Sequence, residues 1–214
     1  MKLINIHTHN KKYNNNCIIN LFPNETNCIE DNKFYSIGIH PWDVAKVDIS
    51  KQLEVIEEYS HKKNILAIGE IGLDKYHDNF ELQKKIFLQQ IEIANSIDKP
   101  IIVHFVKAYS ELLEILKTNI IKVPIIIHRY SANKTIAKEL IKFGCFLSFG
   151  HELFNSKSKV QRVFKQQPLE NIFLETDDSE ISIEDIYKKA SEIKDIEIKL
   201  LQESIVYNFV QIFK

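Results

Sequence analysis

Glycine and proline are scarce in this 214-residue chain, five of each, and no Gly/Ser-rich or Pro-rich run separates one part from another. Without a linker, one domain over residues 1–214 is expected. Cysteine is rarer still: Cys17, Cys28 and Cys145 form an odd, scattered set with no CxxC pair. That argues against a disulfide framework or a cysteine zinc site, and for a reducing compartment. Only two arginines occur, Arg129 and Arg162. No run of 18 apolar residues is present, so no membrane-spanning helix is expected. The opening MKLINIHTHN turns polar too soon for a secretory signal, which makes the cytoplasm the expected location.

Apolar residues make up 44% of the chain and charged residues 27%, enough to build a core and too much apolar material for a disordered chain. The net charge of −1 is unevenly spread. His104–Lys165 holds 11 Lys/Arg against 4 Asp/Glu, and the remainder 17 against 25. A basic middle can attract a polyanion, although a chain rich in Lys, Ile and Asn also reflects an AT-rich genome.

Eight short apolar runs recur: Leu3–His7, Cys17–Phe22, Phe34–Ile39, Ile65–Leu73, Ile101–Phe105, Ile125–His128, Cys145–Phe149 and Ile172–Leu174. Their Ile, Val and Phe content suits parallel strands buried on both faces. Helical periodicity lies between the later runs, over Ile49–Tyr59, Asn79–Ser96, Ser110–Leu116, Asn133–Phe143, Lys157–Phe164 and twice within Ile183–Phe213. Asn79 reads as an N-cap, with Ile86, Phe87, Gln90, Ile91 and Ala94 on one side of its helix. This alternation predicts an α/β fold, a distorted (β/α)₈ TIM barrel. Asn10–Asn16 and Pro23–Lys33 are too short and polar for full helices, so the first two outer helices should be reduced or absent. An open doubly wound sheet is the alternative, but no glycine-rich phosphate loop follows a strand.

Functional-looking residues gather at strand exits. His7-Thr8-His9 places two imidazoles on one face, a ready pair of metal ligands. Glu70, inside AIGEIGLD, is a carboxylate in an apolar strand, where a cation is the usual partner. His104 and His128 are built alike, each after a proline and three apolar residues. Asp177 follows IFLET and can ligate a metal or take a proton from a bound water. Six such side chains suit two divalent cations, with one carboxylate bridging. His40, in GIHPW, fits substrate contact or support of a ligand, and Lys107 fits a phosphate. His151 can face the site. His61 and His77 read as a solvated helix end and a loop residue, and Ser179 as a turn residue.

These motifs resemble the TatD-type metal-dependent hydrolases, which are amidohydrolase-like barrels. HxH, GIHP, GEIGLD, a strand-ending His, HRYS and LETD occur in that family's order across nearly the whole chain. The resemblance implies deoxyribonuclease activity, often 3′→5′ exonuclease, with two divalent cations (Mg²⁺, Mn²⁺ or Zn²⁺). It also implies that His7 and His9 share the first cation with Glu70 and Asp177, and that Glu70, His104 and His128 hold the second. Asn5 replaces the family's usual Asp, and HRYSA replaces HCFSG. Arg129 would therefore reshape the mouth, where it joins His40 and Lys107 as a candidate phosphate contact. DNA or another phosphoester is the expected partner of a monomer. The rivals are a hydrolase of another ester or amide, such as an aminoacyl-tRNA deacylase, and a non-catalytic metal-binding barrel.

Overall fold

The computed structural model describes residues 3–12, 16–118 and 120–213. Eight parallel strands follow one another in chain order: β1 (Asn5–Thr8), β2 (Cys17–Leu21), β3 (Phe34–Ile37), β4 (Ile65–Asp74), β5 (Ile101–Val106), β6 (Ile125–Ile127), β7 (Phe146–Phe149) and β8 (Ile172–Leu174). The exit of β8 then meets β1, where Asp177 N donates to His7 O (3.0 Å) and His9 N donates to Asp177 O (3.1 Å). A side-chain clasp strengthens this seam. Asn5 Nδ2 donates to Thr176 Oγ1 at 2.8 Å, and Asn5 Oδ1 accepts from Thr176 N at 3.0 Å. An amide can do both, whereas a carboxylate at this position has no proton to donate.

Residues on both strand faces are buried, as parallel strands wrapped by helices require: Ile6, Ile19, Ile37, Ile68, Ile102, Ile126, Leu147 and Phe173 are all inaccessible. The outer layer is α1 (Ile49–Ser60), α2 (Phe80–Ser96), α3 (Tyr109–Lys117), α4 (Lys134–Lys142), α5 (Lys159–Gln166), α6 (Ile183–Lys194) and α7 (Ile198–Ile212). Asp48, Asn133, Ser158 and Ser182 cap α1, α4, α5 and α6, each accepting a backbone N–H of the first turn. The expected reduction at the start is present. The β2–β3 connection carries only a 3₁₀ turn, Pro23–Cys28, and no helix lies between β1 and β2 among the described residues. No helix of the described residues is long and apolar enough to cross a membrane.

Asn79 departs from the expected cap. It precedes α2 in the left-handed region (φ 61°), and its side chain caps nothing. Gln83 holds this entry instead, accepting from Asp74 N (2.8 Å) and donating to Asp74 O and Asp78 O (both 3.1 Å). Gln90, placed on the apolar side of the same helix, brackets Ile39 by accepting from its N (2.7 Å) and donating to its O (3.1 Å). The segment that leaves β3, just before His40, is thereby fixed.

Gly72 pairs with His104 between β4 and β5 at φ +150°, and a Cβ there would lie 1.9 Å from the His104 carbonyl oxygen. Strain and overpacking each cost about 1–3 kcal/mol. Gly72→Ala should therefore destabilise the fold by about 3 kcal/mol, read as a lower denaturant midpoint at constant m. An unchanged midpoint would show that the strand can move away from His104.

Candidate metal centre

Glu70 is the hub of the barrel mouth. It leaves β4 facing inward, 3% exposed, and its two carboxylate oxygens divide the surrounding imidazoles. Oε2 lies 3.4 Å from His7 Nε2 and 3.3 Å from His9 Nε2. Oε1 lies 2.8 Å from His104 Nδ1, 2.7 Å from His128 Nε2 and 3.2 Å from His40 Nε2. Asp177 Oδ1 completes the first group, 3.6 Å from His7 Nε2 and 3.5 Å from His9 Nε2. The six side chains expected at the strand exits thus surround one point. Strand boundaries adjust the detail: His104 lies within β5, whereas His128 and Asp177 stand just beyond β6 and β8.

Two acids outside that set face the rings, Asp74 in hydrogen-bond contact and Glu175 at a slightly longer approach. Asp74 Oδ2 is 3.2 Å from His104 Nε2 and accepts from the Trp42 indole N–H at 2.7 Å. Glu175, fully buried, has Oε1 3.4 Å from His128 Nδ1 and accepts there from Arg129 N at 2.6 Å. His104 and His128 are therefore each sandwiched between Glu70 and a second carboxylate, the arrangement that orients metal-binding imidazoles. Asp74 and Glu175 sit inside the quoted GEIGLD and LETD segments, but their sequence positions give no sign of which ring they touch. His40 differs. Its Nδ1 accepts from Trp42 N at 3.2 Å, which leaves the ring proton on Nε2, facing Glu70.

The electrostatics suit a cation. Burial and the neighbouring His128 work against a charge on His7, yet Asp177 and Glu70 outweigh both and raise it to about 9. Burial likewise opposes a charge on His128, but Glu70 and Glu175 raise it well above the usual imidazole range. Burial would lift the Glu70 carboxyl, and the surrounding imidazoles instead hold it well below the carboxylate range. Burial dominates at His40 and lowers it, so that ring stays neutral. Among the described residues, His7 Nε2 is buried with no hydrogen-bond partner, although buried polar atoms are almost always paired. Two triads, His7–His9–Glu70 and His7–His128–Asp177, each have ligand atoms within 4.8 Å of one another, and a third cluster, His40–Glu70–His104, includes His40, whose Nδ1 is already taken by Trp42 N. The donor set, imidazole nitrogens with carboxylate oxygens, is that of divalent-cation sites.

Protons and cations then compete, which gives a pH prediction with a sign. Asp74 is held at about 2 against its ordinary 3.8, where burial is outweighed by His104 and Trp42, so its stabilisation is present above 3.8 and lost as pH falls through 2. His7, raised from 6.5 to about 9, stabilises fully below 6.5 and loses that contribution as pH rises through 9. In chelator, the melting temperature should plateau between about pH 5 and the ordinary imidazole value and fall on both sides. Added Mn²⁺ or Zn²⁺ should reverse the alkaline fall, because a cation replaces protons on the imidazoles. An alkaline flank that cations leave unchanged would count against this site.

The mouth cavity holds about 140 Å³, and Phe22, Trp42, Asp43, Arg129 and Asp178 complete its lining. A larger cavity of about 510 Å³ lies at the opposite end of the barrel, by Ile65, Pro100 and Pro124, and contains none of this chemistry. Of the basic stretch, Arg129 alone lines the mouth. Its NH1 donates to Asp177 Oδ2 and its Nε to Glu152 Oε1, both at 3.2 Å. Lys107 is exposed just beyond β5 and does not line the cavity. Lys134, Lys138 and Lys142 are exposed along α4. His151 does not line the mouth, and its Nε2 lies 3.2 Å from Glu152 Oε1. His77 stacks on Trp42 with ring centroids 4.5 Å apart.

A family model described as TatD related DNase matches residues 7–214. The metal-dependent hydrolase YabD of Bacillus subtilis is 34% identical over 149 residues, covering 67% of this chain and 58% of that protein. Human deoxyribonuclease TATDN3 is 31% identical over 150 residues, covering 65% of this chain and 53% of that protein. The chain thus spans little more than half the length of these two relatives. The crystal structure of YJJV, a TatD homologue from Escherichia coli, superposes with a TM-score of 0.82 at 20% identity, over 92% of this chain and 85% of that one.

Proposed function

The chain belongs to the TatD-related DNase family, and from that premise we propose that it is a divalent-metal-dependent hydrolase of DNA phosphodiesters, working as a 3′→5′ exonuclease. The division of imidazoles between the two oxygens of Glu70 carries the reading. One cation would be held by His7, His9, Asp177 and Glu70 Oε2, the other by His104, His128 and Glu70 Oε1. Mg²⁺, Mn²⁺ or Zn²⁺ in such a pair polarises phosphoryl oxygens and makes water nucleophilic at neutral pH.

The protein groups around this centre have separable tasks. Asp177 is the proton acceptor. Burial opposes its charge, but His7 and His128 hold it well below the carboxylate range, so it enters the reaction ionised, and Arg129 NH1 fixes Oδ2. His40 keeps its proton on Nε2 and is a neutral donor to a phosphate oxygen. Arg129, about half exposed, places a permanent cation beside Asp177, where a phosphate would approach. Lys107, outside the cavity, is left to the neighbouring backbone.

Cleavage of end-labelled DNA in Mg²⁺, Mn²⁺ and Zn²⁺, with a chelated control, tests the activity. A charge-assisted hydrogen bond is worth about 1.5–3 kcal/mol, so Arg129→Ala should lower kcat/KM roughly 10- to 100-fold. It should also flatten the dependence of log(kcat/KM) on log[salt] by roughly 0.7–0.9. Lys107→Ala should have a smaller effect in the same direction, and alanine at Lys134, Lys138 and Lys142 together almost none. If Arg129→Ala cleaves DNA normally at every salt concentration, a small ester or amide moves ahead as the substrate.

A further inference from the structure

Arg129 is gripped at both ends by acids from neighbouring strand exits. Its backbone N donates at 2.6 Å to Oε1 of Glu175, the residue after β8, and its φ of +43° is a left-handed conformation that arginine rarely adopts. Its Nε donates to Glu152 Oε1 and its NH1 to Asp177 Oδ2, both at 3.2 Å. Glu152 belongs to a 3₁₀ turn, His151–Phe154, that follows β7. That turn is itself tied down. Leu153 is inaccessible, its N donates to Gly150 O (3.0 Å), and its O accepts from Gln161 Nε2 (2.6 Å). Gly150 lies against Glu175, where a Cβ would come within 3.0 Å of the Glu175 carbonyl oxygen. The turn that carries Glu152 and the acid that holds Arg129 N are therefore packed together.

The acids around this guanidinium outnumber it. Glu152, Asp177 and Asp178 all approach its nitrogens within 3.8 Å. Asp177 belongs to the proposed centre, and Asp178, 68% exposed, is too distant for a hydrogen bond. Glu152 has no such task, and it does not line the mouth. A carboxylate near an anion site repels the anion unless it also orders a group that attracts it. We propose that Glu152 is a positioning residue, which aims Arg129 at the phosphate. The inference rests on the phosphodiesterase reading and adds the group that holds its arginine ready. Nε and one NH1 hydrogen are engaged, and at most one NH2 hydrogen is directed to His151 Nε2 at 3.4 Å. At least two of the five N–H groups of an arginine then remain unpaired among the described residues. Ordering such a long side chain at the moment of binding weakens affinity roughly 2- to 13-fold, and Glu152 removes that loss by ordering it beforehand.

The sign of a charge deletion separates placement from repulsion. The dissociation constant of deoxyribose 5-phosphate is measured by calorimetry on the full chain in Mn²⁺, for wild type, Glu152→Ala, Arg129→Ala and the double variant. With Arg129 present, Glu152→Ala should weaken binding by about three- to tenfold although it removes a negative charge. With Arg129 already replaced, the same change should leave affinity unchanged or tighten it by up to about fivefold, because only repulsion is lost. Glu152→Gln, which keeps an acceptor for Nε and drops the charge, should bind at least as tightly as wild type. Equal or tighter binding by Glu152→Ala when Arg129 is present overturns the proposal, as does a glutamine variant as weak as the alanine one. Equal weakening in both backgrounds would assign Glu152 to the fold and overturn it too. So would a wild type that binds no phosphate ester. The reversal of sign without cleavage of DNA would sink the proposed function and leave Glu152 in its role. Cleavage without the reversal would do the opposite.

Discussion

Glu70→Gln should remove turnover and the response to divalent cations together. The substitution keeps the shape of the side chain and deletes one charge at the point where five imidazoles meet. In the proposed centre that carboxylate belongs to both cation sites, so neither survives intact. Metal-ion stabilisation of a transition state is worth several kcal/mol, and each 1.36 kcal/mol is tenfold, so turnover should fall at least about 10²–10³-fold. The chelated protein should change as well. Glu70 is among the groups that raise His7 and His128, and without it both imidazoles shed protons more readily. The alkaline loss of stability in chelator should then flatten. Removing one member of a buried ion pair costs about 3–5 kcal/mol when its partner stays charged, and less here to the extent that the histidines neutralise. Wild-type protein should melt higher as Mn²⁺ is added, following mass action, and Glu70→Gln should not. A variant that keeps both its cation-induced stabilisation and its turnover would remove Glu70 from the centre.

The barrel is legible because its signals are redundant. Three consecutive isoleucines in β6, or Ile-Ile-Val in β5, can be buried on both faces only in a covered parallel sheet. The metal-site candidates are legible for a related reason: a charged or imidazole side chain at the end of such a run has little to pair with except what the other strand exits bring. What sequence conceals is contact between side chains remote along the chain. Asp74 and Glu175 lie in motifs visible at a glance, but their contacts with His104 and His128 follow from the relative rotation of β4, β5, β6 and β8. Asn79 shows the limit of local rules, since its cap position is right and its capping role is taken by Gln83, four residues on. The basic stretch shows the limit of charge counting. Eleven cations adjoin the ligand histidines in sequence, yet helical phase turns Lys134, Lys138 and Lys142 to solvent, and only Arg129 reaches the mouth.

Asp177→Asn should leave the fold intact and cost about 10²–10⁴-fold in turnover, the usual contribution of a positioned general base. The fold should survive because the backbone at this position is held independently of the carboxylate. Asp177 N donates to His7 O and Asp177 O accepts from His9 N, which pins the residue at φ +53°, and asparagine tolerates that left-handed conformation as well as aspartate does. The amide oxygen can still accept from Arg129. What disappears is the negative charge facing His7 and His9, and with it the basicity. Asp177 is proposed both as a ligand and as the proton acceptor, and one pair of measurements separates the two roles. If the proton role dominates, kcat falls while the cation midpoint of thermal stabilisation stays where the wild type has it. If the ligand role dominates, that midpoint rises in step with the loss, and excess Mn²⁺ restores part of the rate. Undiminished turnover with cation binding unchanged would end both assignments. The proton would then have to leave through a group at the mouth outside the proposed ligand set.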